Sequence, residues 1–178
     1  IDKERKKRLR AECALEWKPP VLSLSAVCGL AIMERFKRCE NRDFHIYSHA
    51  ANYDWRGVPI GLHLSKSLGR QGIKNFLSKY KRFGRQLFTQ GTYLGMDAEQ
   101  LWQATHELYG KIVGYFIADN IPDPDWNYVH KDYPIERKHT WYIHKVHIFK
   151  EPIDGFRGGQ SWKYFDDKQL LRQYLSQI

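Results

Sequence analysis

The sequence predicts a single α+β domain, and three observations carry that expectation. At 178 residues the chain is long enough for one domain with a real core and too short for two comfortable ones. Strand-like alternation, as in Val58 to Lys66 and Trp141 to Phe149, is interleaved with stretches of helical periodicity. Hydrophobic residues make up 42% and aromatics 15%, enough to fill a core and too many for a disordered tail.

Taken in order, Lys3 to Trp17 reads as a basic helix halted by Pro19 and Pro20. Val21 to Leu24 reads as a short strand and Cys28 to Arg35 as a short apolar helix. Val58 to Lys66 places Ile60, Leu62 and Leu64 on one face and Gly61, His63 and Ser65 on the other, as a half-buried strand does. Ile73, Phe76, Leu77, Tyr80, Phe83 and Leu87 recur at helical spacing and describe an amphipathic helix. Asp97 caps a helix running to His106, with Glu99 and Gln100 in its first turn. Lys111 to Ala118 is apolar on both faces, which predicts a central strand. Ile121 to Arg137, with three prolines, reads as a long loop. Trp141 to Phe149 is a further strand, and Asp166 to Gln177 an N-capped closing helix.

Charge points to a polyanionic partner. The formal net charge is +9, the footprint of a nucleic-acid binder or of a protein that meets an acidic surface. Six basic residues stand between Lys3 and Arg10 against one acid, Glu4. From Trp55 to Met96 there is no Asp or Glu, whereas surfaces that are merely solvated intersperse both signs. In that block Arg70, Lys74, Lys81 and Arg85 fall away from the apolar stripe and form a positive ridge.

The three cysteines, Cys13, Cys28 and Cys39, contain no CxxC pair, which fits reduced thiols in an intracellular protein. No signal-peptide pattern opens the chain, and no run of about 18 apolar residues is present, so secretion and a membrane-spanning helix are not expected. His144 and His147 are three apart on a strand and point to opposite faces, so no metal site is expected there. No cofactor is expected either.

Four segments carry a resemblance. The first is Leu22-Ser23-Leu24, a short helix, and then Lys37-Arg38-Cys39-Glu40-Asn41-Arg42; the second is Arg56-Gly57 through His63, Ser65 and Lys66. The third is Gly110-Lys111-Ile112-Val113-Gly114. The fourth runs from Trp141 through Glu151-Pro152-Ile153 to Gly158-Gly159-Gln160-Ser161-Trp162. In this order they resemble the ASCH family of the PUA-like superfamily. Its G-x-K-x-x-E-x-R signature is matched except at Arg35, where the family has Gly. The resemblance implies a small mixed β-barrel flanked by helices, spanning 21–165 with an insert at 67–109. A basic helical extension, 1–20, would precede it, and a C-terminal helix, 166–178, would pack on it. It further implies RNA or DNA binding in a cleft beside the K-x-x-E-x-R segment, and in some relatives hydrolysis. The amidohydrolase branch carries Thr where this chain has Glu40.

For a nucleic-acid cleft, the candidates are Lys37, Glu40, Arg42, Trp55, Arg56, Lys66, Arg70, Lys74, Lys81 and Arg85. Lys37 would meet phosphate as a point charge, and Arg42 would grip phosphate in two-pronged fashion or hold Glu40. Glu40 would accept hydrogen bonds from a base edge or act as a general base. A simple structural salt bridge between Glu40 and Arg42 is the plainer alternative. Trp55 is either a stacking platform or core. The expected function is nucleic-acid binding, with RNA favoured over DNA. A ribonuclease or nucleoside hydrolase drawing on Lys37, Glu40, His63 and Ser65 is a second reading, and a module for an acidic protein partner a third.

Overall fold

The computed structural model describes residues 18–35, 37–65, 68–81, 95–122 and 139–178. The expected helix at 3–17, most of the loop at 121–137, and Lys66 and Arg85 lie outside them, as does the side chain of Lys81. Five strands make one mixed sheet: β1 (Val21–Ser25), β2 (Cys39–Arg42), β5 (Ile60–Ser65), β6 (Ile112–Asp119) and β7 (His139–Ile153), ordered β1-β5-β6-β7-β2. β1 and β5 are parallel; every other pairing is antiparallel. A two-stranded ribbon, β3 (Tyr47–Ser48) with β4 (Tyr53–Asp54), stands beside it. Among the described residues four α-helices accompany the sheet: α1 (Ala26–Met33), α2 (Arg70–Lys81), α3 (Ala98–Thr105) and α4 (Lys168–Gln177). No described helix is long and apolar enough to cross a membrane.

The α+β class is therefore observed. Among the described residues the sheet stays open, because no backbone ladder joins its edge strands β1 and β2. They are joined instead by a side chain: Arg42 Nη2 donates to the Ser23 carbonyl at 3.0 Å.

The sheet separates two apolar clusters. Leu22, Leu24, Ile60, Leu62, Leu64, Phe116 and Trp141 pack on one face, and Val21, Tyr115, Phe149, Phe165 and Tyr174 on the other. β5, expected to be half-buried, is buried on both faces apart from Ser65. Its polar-looking face is covered by elements far away in sequence: Tyr174 of α4 packs beside Gly61, where a Cβ would come within 3.3 Å of its ring, and Phe156 meets His63 edge-on. α1 is apolar all round because it is buried between layers. Ala26 and Ile32 join the sheet core, whereas Val27, Leu30 and Ala31 join Ile73, Leu77 and Leu101 of α2 and α3.

Local sequence explains the helix starts. Ser25 caps α1 by accepting from Cys28 N. Asp97 and Gln100 form a reciprocal capping box on α3, and Asp167 accepts from Gln169 N and Leu170 N on α4. α3 ends at Thr105, one residue before the expected His106, and passes into a short 3-10 turn.

Candidate functional site

The K-x-x-E-x-R segment folds into a buried charge relay. Lys37 and Glu40 are only 4% and 5% exposed, and Lys37 Nζ forms an ion pair with Glu40 Oε2 while donating to the Cys39 carbonyl at 2.8 Å. Arg42 Nε donates to Glu40 Oε1 at 2.8 Å. Both carboxylate oxygens are thus engaged by cations, the pairing that offsets the cost of enclosing an ion pair. Glu40 is enclosed rather than presented to a base edge, and the structural salt bridge with Arg42 is the arrangement observed. Cys39 sits in the same pocket of structure: burial pushes its thiol up, against the pull of Lys37 and reinforced by Glu40. Cys39 is a free thiol.

Arg42 reaches out of this relay to the seam between β1 and β2, and there the fold leaves a cleft of about 940 Å³. Ser23, Ser25, His63 and Ser65 line it from β1 and β5, Arg42 to Phe44 from the end of β2, and Phe156 to Gln160 from the loop after β7. In the register, Ser23 lies directly opposite His63, and Ser23 Oγ lies 2.8 Å from His63 Nδ1. The backbone N–H of Gly159 also donates to Ser23 Oγ, at 3.2 Å. Gly158 lies over this pair so closely that a Cβ would overlap both Ser23 Oγ and the His63 ring. Gly158 is therefore what lets the loop seat itself on β1. Phe44 forms part of the wall and is held edge-on by Trp141 and Trp162, at 5.5 and 5.6 Å.

The other candidates fall elsewhere. Trp55 stacks on Tyr53 and packs edge-on against Trp162, as part of the core's margin. Arg56 lies over the Tyr47 ring at 3.9 Å and pairs with Asp54 through Nε and Nη2, at 3.0 and 2.8 Å. That hydrogen bond holds the Asp54 carboxyl below its usual value. Arg70 lies over Trp102 at 3.6 Å and grips both Glu99 oxygens. Lys74 follows it along α2, exposed, and neither lines the cleft. His63 and Ser65 do share the cleft-facing side, but the imidazole engages Ser23 across the strands. Lys37 lines a smaller, separate pocket.

Sequence reasoning did not single out Arg157, Phe44, Ser23 or the Gly158-Gly159 pair as site residues. A signal was present in the run Arg157-Gly158-Gly159-Gln160, a basic residue beside two glycines that open the backbone to close approach. Among the described residues no group of three or more His, Cys, Asp or Glu could hold a metal ion. No model of a known protein family matches the chain, and no curated protein sequence matches it.

Proposed function

We propose that this chain is an ASCH-like nucleic-acid-binding module that takes single-stranded RNA, with a nucleotide in the seam cleft. In this reading the sheet is a small barrel whose seam is left open for the ligand. One observation carries the proposal: residues from all four motif segments line the same cleft. Ser23, Leu24 and Arg42 come from the first, His63 and Ser65 from the second, Gly110 from the third, and Gly158 to Gln160 from the fourth. The lining suits a nucleotide. Arg42 and Arg157 offer charge to phosphate, and Phe44 and Phe156 offer ring surface to a base. The hydroxyls of Ser23, Ser25 and Ser65 and the amide of Gln160 match a ribose bearing a 2′-OH, which favours RNA over DNA. The cleft volume lies within the range of small-ligand sites, roughly 300–1,000 Å³.

A ribonuclease or nucleoside hydrolase in the same cleft is the second reading, supported by the 2.8 Å contact between Ser23 and His63. Against it, Gly158 covers that pair and Gly159 occupies the hydroxyl.

The test is binding of labelled single- and double-stranded RNA and DNA across a salt series, with the substrates inspected afterwards on a denaturing gel. Single-stranded RNA should bind best. Arg157→Ala should weaken it about tenfold and lower the salt slope by about 0.7. Binding indifferent to salt and to Arg157 would overturn the proposal. Cleaved RNA, with cutting lost in Ser23→Ala, would promote the hydrolase. No affinity for any nucleic acid would leave an acidic protein as the partner.

A further inference from the structure

A second basic pocket, of about 300 Å³, opens at the other end of β2, lined by Arg35, Lys37, Arg38, His144 and Lys145 with Ile143 and Val146. Among the described residues its lining contains no acid. Lys37 is neutralised by Glu40 from below, but no described carboxylate pairs with Arg35, Arg38 or Lys145. Three cations therefore line one pocket with no described carboxylate beside them, an arrangement that costs mutual repulsion unless an anion joins them.

Arg35 adds a second, independent observation. Its backbone is left-handed, with φ 61, at the position just past α1 where the N–H turns back to the Ile32 carbonyl. Glycine prevails at such helix ends because any Cβ is strained there. The chain keeps a long cationic side chain where the backbone favours none, and the tight turn sets it on the pocket's rim. An observed strain of this kind points to a functional demand on the side chain.

We infer that this pocket holds a backbone phosphate of the same RNA strand whose nucleotide occupies the seam cleft; the identity of the strand rests on the function proposed above. Arg38, just before β2, and Arg42, at its far end, stand four residues apart, about 13 Å at the rise of an extended chain, so a strand of a few nucleotides spans both. The chemistry is that of a phosphodiester oxygen pair facing two guanidiniums and an ammonium.

The experiment compares wild type, Arg35→Gly and Lys145→Ala with two probes, a labelled eight-nucleotide RNA and adenosine monophosphate. Arg35→Gly should raise Tm by about 2–4 °C as the strain is relieved. The same variant should bind the long RNA about tenfold more weakly, with a salt slope lower by about 0.7. Adenosine monophosphate, small enough to be held by the cleft alone, should bind all three proteins alike. Unchanged affinity of both variants for the long RNA would overturn the inference. If the wild type binds no RNA at all, a titration with inorganic pyrophosphate followed by amide chemical shifts separates the two claims. Shifts at Arg35, Arg38 and Lys145, lost in the variants, would keep the anion pocket, and their absence would remove it too.

Discussion

Arg42 and Arg70 are both arginines held by a glutamate, and the fold uses them in opposite ways. Arg42 meets Glu40 where both side chains are nearly enclosed, 12% and 7% exposed, and continues across the seam to Ser23. Arg70 meets Glu99 with both more than half exposed, and its guanidinium rests on Trp102. In water the second pair is screened and worth little. The first is a different object: its charges have already left water, so each survives only because the others remain. The same two residue types thus act as an internal fastening at the seam and as surface decoration on the helices.

The largest effect should come from breaking the internal fastening. Glu40→Ala leaves Lys37 and Arg42 facing each other without a counter-charge, and about 3–5 kcal/mol of stability should be lost in urea unfolding. A loss below about 1 kcal/mol would mean that water reaches the relay. A second buried polar group sharpens the contrast by being unsatisfied. The Tyr174 hydroxyl is fully buried with no hydrogen-bond partner among the described residues. Tyr174→Phe should therefore stabilise by about 1 kcal/mol.

Burial pushes the Tyr174 phenol up, with Tyr115 adding to it, so the folded state holds that proton more tightly than the unfolded chain. The contribution is complete below the ordinary phenol value of about 10 and is lost as pH rises beyond it. Wild type should accordingly lose stability above that pH more steeply than Tyr174→Phe in parallel thermal melts. Parallel curves would contradict this. The smallest effect belongs to the surface pair. Glu99→Gln should leave Tm unchanged within error, although Arg70 holds the Glu99 carboxyl below its usual value. A loss rivalling that of Glu40→Ala would erase the distinction between the two arginines.

How much of this was legible in the sequence depended on the range of the interaction. The cap at Asp97 needs only neighbours three residues apart, and it was legible in the sequence, although the reciprocal bond from Gln100 was not read there. The central strand did too, because its apolar run answers to burial on both faces wherever the partners come from. β5 was misjudged as half-buried, since what covers Gly61 and His63 arrives from Phe156 and Tyr174, roughly a hundred residues on. Lys37 and Glu40 were expected in the cleft because of the K-x-x-E-x-R motif they belong to, with a structural salt bridge as the plainer alternative. Their enclosure depends on β2 lying against β7, with Glu40 opposite Trp141. The cleft itself is built from a cross-strand register and a returning loop, so Ser23 had no local pattern to mark it, and Arg157 only the two glycines that follow it.

The outer edge of β1 has a last consequence. Edge strands normally offer a row of free carbonyls and amides, a template on which another chain can build. Here Val21 exchanges both backbone bonds with Lys163, and the next outward carbonyl, that of Ser23, is taken by Arg42. A stray strand arriving from a neighbouring molecule finds those places filled. The arginine that spans the seam therefore also discourages edge-to-edge aggregation, a service owed to solubility rather than to any ligand.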